Sequence, residues 1–578
     1  MIRLAAAALA ATSLSLLAGC QRPAPPAATA PPADLVLTNG RVVTLDPELP
    51  EATALAARDG RIVALGSDEE VRALVGPTTR VLDLGGRLAV PGLIEGHAHF
   101  AGIGRAARIL RLGGYETWDE IVAAVREAAA SARPGEWILG RGWHQEKWRA
   151  APADAVEGFP VHAALSAAAP DNPVLLGHAS GHAAMANAAA LAAAGIDRTT
   201  ADPAGGEILH DAAGEPTGLL RETAADLVDA VYERAQKALP PAEVEAERRR
   251  DLEAADREVL SKGITTLHDA GASFAELDRI AAMVAEGRIG TRLYEMVNDT
   301  PAALAANLAR YRRVGEGDGH LTIRAIKAYA DGALGSRGAW LLEPYADRPD
   351  STGLPIMEPT ELAEIARLAL AEQYQLAVHA IGDRANRETL DVYERAFEGV
   401  AEPKALRWRI EHAQHLDPAD IPRFGRLGVI AAMQGVHCTS DGPWVIPRLG
   451  AKRAEEGAYV WRSLSDTGAL VVNGTDAPVE DVDPIPSFYA TVTRRLADGT
   501  QFFPAQALTR REALETYTKN GAWAAFEEDE LGTLAPGKRA DVTVFDRDLL
   551  EIPEEEILGV RVSYTIVGGQ ILYDSSTR

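Results

Sequence analysis

Apolar positions along this chain change their spacing by region. From Asp34 to Leu84 they come in short β-rich pieces, LVLTNGRVVTL, RIVALG and TTRVLDL, separated by Gly and Asp turns. The far end, LGTLAPGKRADVTVFD and VRVSYTIVGGQILYD, reads the same way. Two β-rich chain ends of similar pattern predict one small sandwich built from residues 35–87 and 531–578. Between them eight unbroken Val/Ile/Leu/Ala runs recur ahead of helical stretches: RLAVPGLIEGH, GITTLHDA, TRLYEMV, IRAIKAYADG, QLAVHA, WRIEHA, GVIAAMQ and ALVVNGTDA. Runs without alternation are expected of parallel strands covered on both faces. Eight of them close a (β/α)8 barrel, so residues 88–530 are expected to form an α/β TIM barrel. The stretch between the first two runs is too long for a loop and predicts an insertion at about 103–257.

Polar chemistry gathers at the C-terminal tips of these runs, the catalytic face of such a barrel: His97 and His99, His268, Lys327 with Asp331, His379, His412, Gln434 and Asp476. His97 and His99 lie two apart, so on a strand both face one way and can hold one ion. Imidazoles and a carboxylate converging at one mouth are the donors preferred by zinc and similar divalent ions, with Mn, Fe and Co also suited. A lysine ammonium beside such ions would be repelled, so Lys327 is expected to be carboxylated, neutral or turned away.

The 578 residues carry 58 Lys+Arg against 83 Asp+Glu, a formal charge of −25, which repels phosphate backbones and argues against nucleic acid as a partner. A small-molecule substrate fits the barrel mouth instead. At the start, Arg3 precedes an apolar run too short to be a permanent span, ending in Leu17, Ala18, Gly19 and Cys20. Residues 1–19 therefore read as a signal peptide. The tetrad resembles the lipobox of bacterial lipoproteins, which makes Cys20 the lipidated residue, residues 20–34 a Pro/Ala-rich tether and the folded part an exported protein of the cell envelope, facing the periplasm and touching membrane only through its anchor.

The stretches PGLIEGHAHF, HAIGDRA, RIEHAQ and NGTDAPVE resemble the metal motifs of the amidohydrolase superfamily. GRGWHQEKW, AYADGALGSRGAW, AAMQGVHCTSDGPW and LGTLAPGKRADVTVFD resemble the branch that includes N-substituted formamide deformylases and related amide hydrolases, and the likeness runs from about Asp34 to Tyr573. It implies two divalent ions: a buried one held by His97, His99 and Asp476, and a more exposed one held by His379 and His412, with a carboxylated Lys327 bridging both. It further implies that Asp476 moves the proton from attacking water to the leaving nitrogen. A centre of one ion using part of this set is the alternative within the family.

Softer candidates surround this set. Asp331 either lies near the site or caps a helix in ADGALGSRG. His182 in GHASGH matches a family motif except that Ser180 stands two before it where an acid is usual, and Trp143 and Trp148 match its tryptophan spacing although His144 replaces an acid; such aromatics are more often core than a platform for ligand, with a place near substrate as the other reading. His437 could meet substrate or a ligand, and His268 could bond a neighbouring ligand. The activity expected is hydrolysis of an amide-type C–N bond, with an ester, lactone or cyclic imide as the alternative on the same centre. A periplasmic solute-binding lipoprotein is the non-enzymatic alternative, to which five converging ligands are foreign. A homodimer is a common outcome for such folds.

Overall fold

The computed structural model describes residues 31–577 except 146, 147, 179–182, 204, 205, 336 and 354. The expectations for Cys20 and His182 lie outside the described residues. Eight parallel strands follow one another around a ring: β1 (Leu93–Ala98), β2 (Ile264–Ala272), β3 (Arg292–Val297), β4 (Leu321–Tyr329), β5 (Gln375–Ala380), β6 (Arg409–His412), β7 (Ile430–Gln434) and β8 (Val471–Gly474). Each coincides with one of the eight apolar runs. The ring is nearly closed, for β8 lies beside β1 without sharing a regular ladder, and the Asp476 N–H donates to the His97 carbonyl at 2.8 Å.

Period-two alternation divides each strand between two apolar layers. On β3, Leu293 and Val297 join the large core shared with the surrounding helices, while Tyr294 and Met296 join a smaller cluster with Ala270, Ala325, Ala377 and Ala525. Lys327 stands two residues beyond Ala325 and His379 two beyond Ala377, so both continue the inner face toward the strands' C-terminal ends. The enclosing helices begin where the sequence supplies caps: Ser273 accepts from the Glu276 N–H, and Thr300 from the Ala303 N–H ahead of Pro301.

The insertion leaves through the helix Phe100–Arg108 and returns along the helix Pro241–Ser261, packed against it. Between them a separate six-stranded sheet is ordered, in space, Gly206–His210, Pro216–Glu222, Ala183–Ala186, Val174–His178, Ile138–Trp143 and Leu110–Arg111. The two chain ends form the remaining sheets. One is entirely N-terminal, whereas in the other Val542–Phe545 pairs with Leu88–Pro91. Leu37, Leu55, Val542 and Ile566 share the core between them. The division placed at residue 87 therefore falls at Gly92, because Leu88–Pro91 is a sandwich strand that runs directly into β1. Among the described residues no helix is long and apolar enough to cross a membrane.

Candidate metal centre

β1 and β8 approach closely because glycines permit it. A Cβ on Gly96 would meet Val472 Cγ1 at 2.4 Å and the Asn473 carbonyl oxygen at 2.5 Å, and one on Gly474 would meet the His97 backbone nitrogen at 2.6 Å. That approach brings Asp476 Oδ1 to 3.1 Å from His99 Nε2 and 3.4 Å from His97 Nε2. The donor atoms of His97, His99 and Asp476 all lie within 4.8 Å of one another, and so do those of His412, His437 and Asp476. Asp476 belongs to both groups and stands between them.

The remaining donors close around this carboxylate. The His412 ring centroid is 4.8 Å from that of His97 and 4.4 Å from that of His379. Lys327 is fully buried rather than reaching for solvent, with Nζ 3.5 Å from His97 Nε2 and 4.9 Å from the Tyr329 ring centroid. His412 and Asp476 hold positive φ, 73° and 59°, a region costly for most residues other than glycine and asparagine. Strain of about 1–3 kcal/mol each persists where the surrounding packing over-determines it, and here it falls on two of the converging donors.

Electrostatics prepares the same atoms. Burial, with the neighbouring Lys327 charge, pushes His379 down to about 3, and burial, with His379 beside it, holds His412 well below the usual imidazole range. Both rings are therefore neutral and carry a lone pair. Burial lowers Lys327 to about 8. Burial opposes ionisation of Asp476, yet the His97 and His99 rings beside it keep its carboxyl well below the ordinary range. His379 Nε2 and His437 Nε2 are buried with no hydrogen-bond partner among the described residues. Unpaired buried lone pairs beside an ionised carboxylate fit divalent cations, and the N/O donor set fits zinc and its neighbours. His97, His99 and Asp476 could hold one ion, and His412, with His437 or His379, another.

Several neighbours orient these donors. His412 Nδ1 is 2.7 Å from Gln434 Oε1. His437 opens a short helix after β7 and stacks on His412 at 6.3 Å. Asp331 caps no helix, since none forms over the described part of ADGALGSRG. Its buried carboxylate accepts the N–H groups of Trp340, Ile381 and Gly382 at 2.8–2.9 Å, which ties the loop after β4 to the end of β5 and leaves Oδ1 3.6 Å from His379 Nε2. Burial raises it to about 7.

Two expectations are corrected. His268 bonds no ligand: β2 runs on to Ala272, so the ring points into the barrel interior, where Nδ1 meets Arg409 Nη1 at 3.1 Å. Trp143 is fully buried in the insertion's own core, its indole N–H donating to the Leu176 carbonyl at 2.8 Å and its ring stacked on Trp148, so it cannot reach substrate.

Charged residues below the donors escaped the sequence reading. Glu411 touches His97 Nδ1 and is clamped by Arg409. Burial opposes its ionisation, but the Arg409 charge and the contact with the His97 ring hold it far below the carboxylate range. Glu95 accepts the Thr475 N–H at 2.7 Å, and burial raises it to about 8. The signal existed in the text: acids and an arginine inside WRIEHA and GLIEGH, runs that otherwise read as strands covered on both faces.

A nearly closed parallel barrel with these donors at its C-terminal mouth defines a metal-dependent hydrolase. The chain belongs to the amidohydrolase family, whose profile matches residues 80–573. It is 34% identical to Protein LONG AFTER FAR-RED 3 of Arabidopsis thaliana, over 94% of this chain and 92% of that one. It is 29% identical to an N-substituted formamide deformylase of Arthrobacter pascens, over 94% of this chain and 98% of that one. A solved uncharacterized metal-dependent hydrolase from Pyrococcus furiosus matches 89% of this chain and all of its own length with a TM-score of 0.70 at 26% identity.

Proposed function

We propose that the protein hydrolyses an amide-type C–N bond of a small molecule, an N-formyl or N-acyl amide, on a centre of two divalent ions. The observation that carries this reading is the place of Asp476 between two groups of converging donors. Likeness to the formamide deformylase along nearly the whole chain supports the C–N bond over an ester, lactone or cyclic imide. Bound here, divalent ions, probed first as zinc, supply Lewis acidity that makes water a nucleophile near neutral pH and polarises a carbonyl oxygen.

The chain's own residues do the rest. His97 and His99 present ring nitrogens from one face of β1, and Gln434 holds the His412 ring in orientation. Lys327, with its pKa brought down to about 8, keeps a neutral amine fraction that adds to carbon dioxide with loss of a proton, giving a carbamate in place of a cation. Asp476 Oδ1 accepts the proton of the attacking water and returns it to the leaving nitrogen, which departs as a neutral amine. Asp331 keeps the loop after β4 against the end of β5, beside His379. The enzyme is exported and tethered through a lipid on Cys20, a reading supported by the LAGC tetrad and the Pro/Ala-rich stretch behind it.

Matched substrates test the reaction. Zinc-loaded protein is expected to release amine from N-alkyl formamides or short N-acyl amides, to lose that activity in a chelator and to regain it with zinc. Rapid cleavage of matched esters or lactones with no amine release would overturn the C–N assignment.

A further inference from the structure

Beneath the converging donors lies a fully buried ion pair. Arg409 and Glu411 stand two apart on β6, so both side chains face the barrel interior, and neither is exposed at all. The guanidinium meets Glu411 through two nitrogens: Nε on Oε1, and Nη2 on Oε2 at 2.9 Å. Nη2 also donates to the Gly96 carbonyl at 2.7 Å, and Nη1 lies 3.1 Å from His268 Nδ1. The carboxylate is thus held at two points and cannot turn, and its Oε2 lies against His97 Nδ1.

Stability does not explain this arrangement. Desolvating two charges is so unfavourable that apolar residues of similar volume commonly serve a core as well or better. What the pair does provide is direction. A carboxylate gripped by a guanidinium only accepts hydrogen bonds, so the imidazole nitrogen against it carries the hydrogen. The other nitrogen, Nε2, is then left with the lone pair, and it is Nε2 that lies 3.4 Å from Asp476 Oδ1 and 3.5 Å from Lys327 Nζ. His412 is held in the same sense but by a neutral group, its Nδ1 donating to the Gln434 amide oxygen.

We infer that Glu411, clamped by Arg409, is a positioning residue that fixes His97 with its hydrogen on Nδ1 and its lone pair on Nε2, aimed at the ion shared with His99 and Asp476. The inference rests on the metal-hydrolase reading for its purpose, though not for its geometry. Carboxylate partners of this kind fix the ring and raise its basicity, and losing one typically weakens metal affinity about 10–100-fold.

Two measurements test it. In wild-type protein, long-range 1H–15N correlation of the imidazoles is expected to show His97 protonated on Nδ1, with or without zinc. His97 protonated on Nε2 would overturn the inference. Glu411→Asp keeps a charge opposite Arg409 while withdrawing the oxygen from His97, and Glu411→Gln keeps the shape while removing the charge. Zinc affinity, read by competition with a chromophoric chelator, is expected to fall about 10–100-fold in both, with the metal-free unfolding midpoint of Glu411→Asp near that of the wild type. Unchanged zinc affinity in the folded variants would overturn it equally. Should neither variant fold, the wild-type spectrum decides. A wild type that shows the Nδ1 tautomer yet binds no zinc would uphold the positioning of His97 and defeat the hydrolase reading instead.

Discussion

Asp476→Asn is expected to lower turnover about 10³-fold or more while leaving the fold intact. Proton transfer by a positioned carboxylate alone is worth about 10²–10⁴-fold. Asp476 is also the one donor common to both groups, so the neutral amide removes charge from each at once. The backbone should tolerate the change. Asp476 sits at φ 59°, and asparagine is among the few residues that accept the left-handed region at little cost. The amide keeps the volume of a side chain only 8% exposed, so no cavity opens. Steady-state kinetics beside thermal unfolding separates chemistry from folding. A variant that folds and keeps a tenth or more of the wild-type rate would remove Asp476 from proton transfer.

Lys327→Met and Lys327→Ala are expected to lose metal content and at least about 10²-fold in kcat/KM, beyond the loss of a merely supporting partner. A fully buried lysine without a carboxylate within salt-bridge reach among the described residues is costly to keep as a cation, and burial lowers it to about 8. Methionine fills the same space without being able to carry a carbamate, so it isolates the loss of the ligand from the cavity that alanine leaves. Acetate or propionate should restore part of the activity of Lys327→Ala, whose cavity can admit a small carboxylate, and none of that of Lys327→Met. Wild-type metal content in both variants would exclude Lys327 from the centre.

How much of this was legible depended on where each residue sits relative to its strand. The eight barrel strands could be read because parallel strands covered on both faces have no solvated side, so their apolar runs are unbroken and their polar tips stand out. His97, His99, Lys327, His379, His412 and Asp476 stood at those tips, and the structure gathers them. Arg409, Glu411 and Glu95 lie one step lower, where a charge within an apolar run signals nothing until its partner from another strand is known. Glu411 and His97 are 314 positions apart. Trp143 stayed ambiguous because a tryptophan near histidines matches a family spacing either as a pocket wall or as the core of the insertion, and only burial distinguishes them. Asp331 stayed open between helix cap and neighbour of the site because its acceptors could serve either its own segment or a neighbouring loop. The boundary near residue 87 was displaced because a sandwich strand and a barrel strand adjoin with only Gly92 between them.

The proposed centre holds two divalent ions organised around Asp476. Its most direct test is elemental analysis of the mature, tag-free protein, purified without chelator in the presence of bicarbonate. About two divalent ions per chain are expected, falling in Lys327→Met. A wild type that holds none, even after reconstitution with excess zinc, manganese, iron or cobalt, would contradict it.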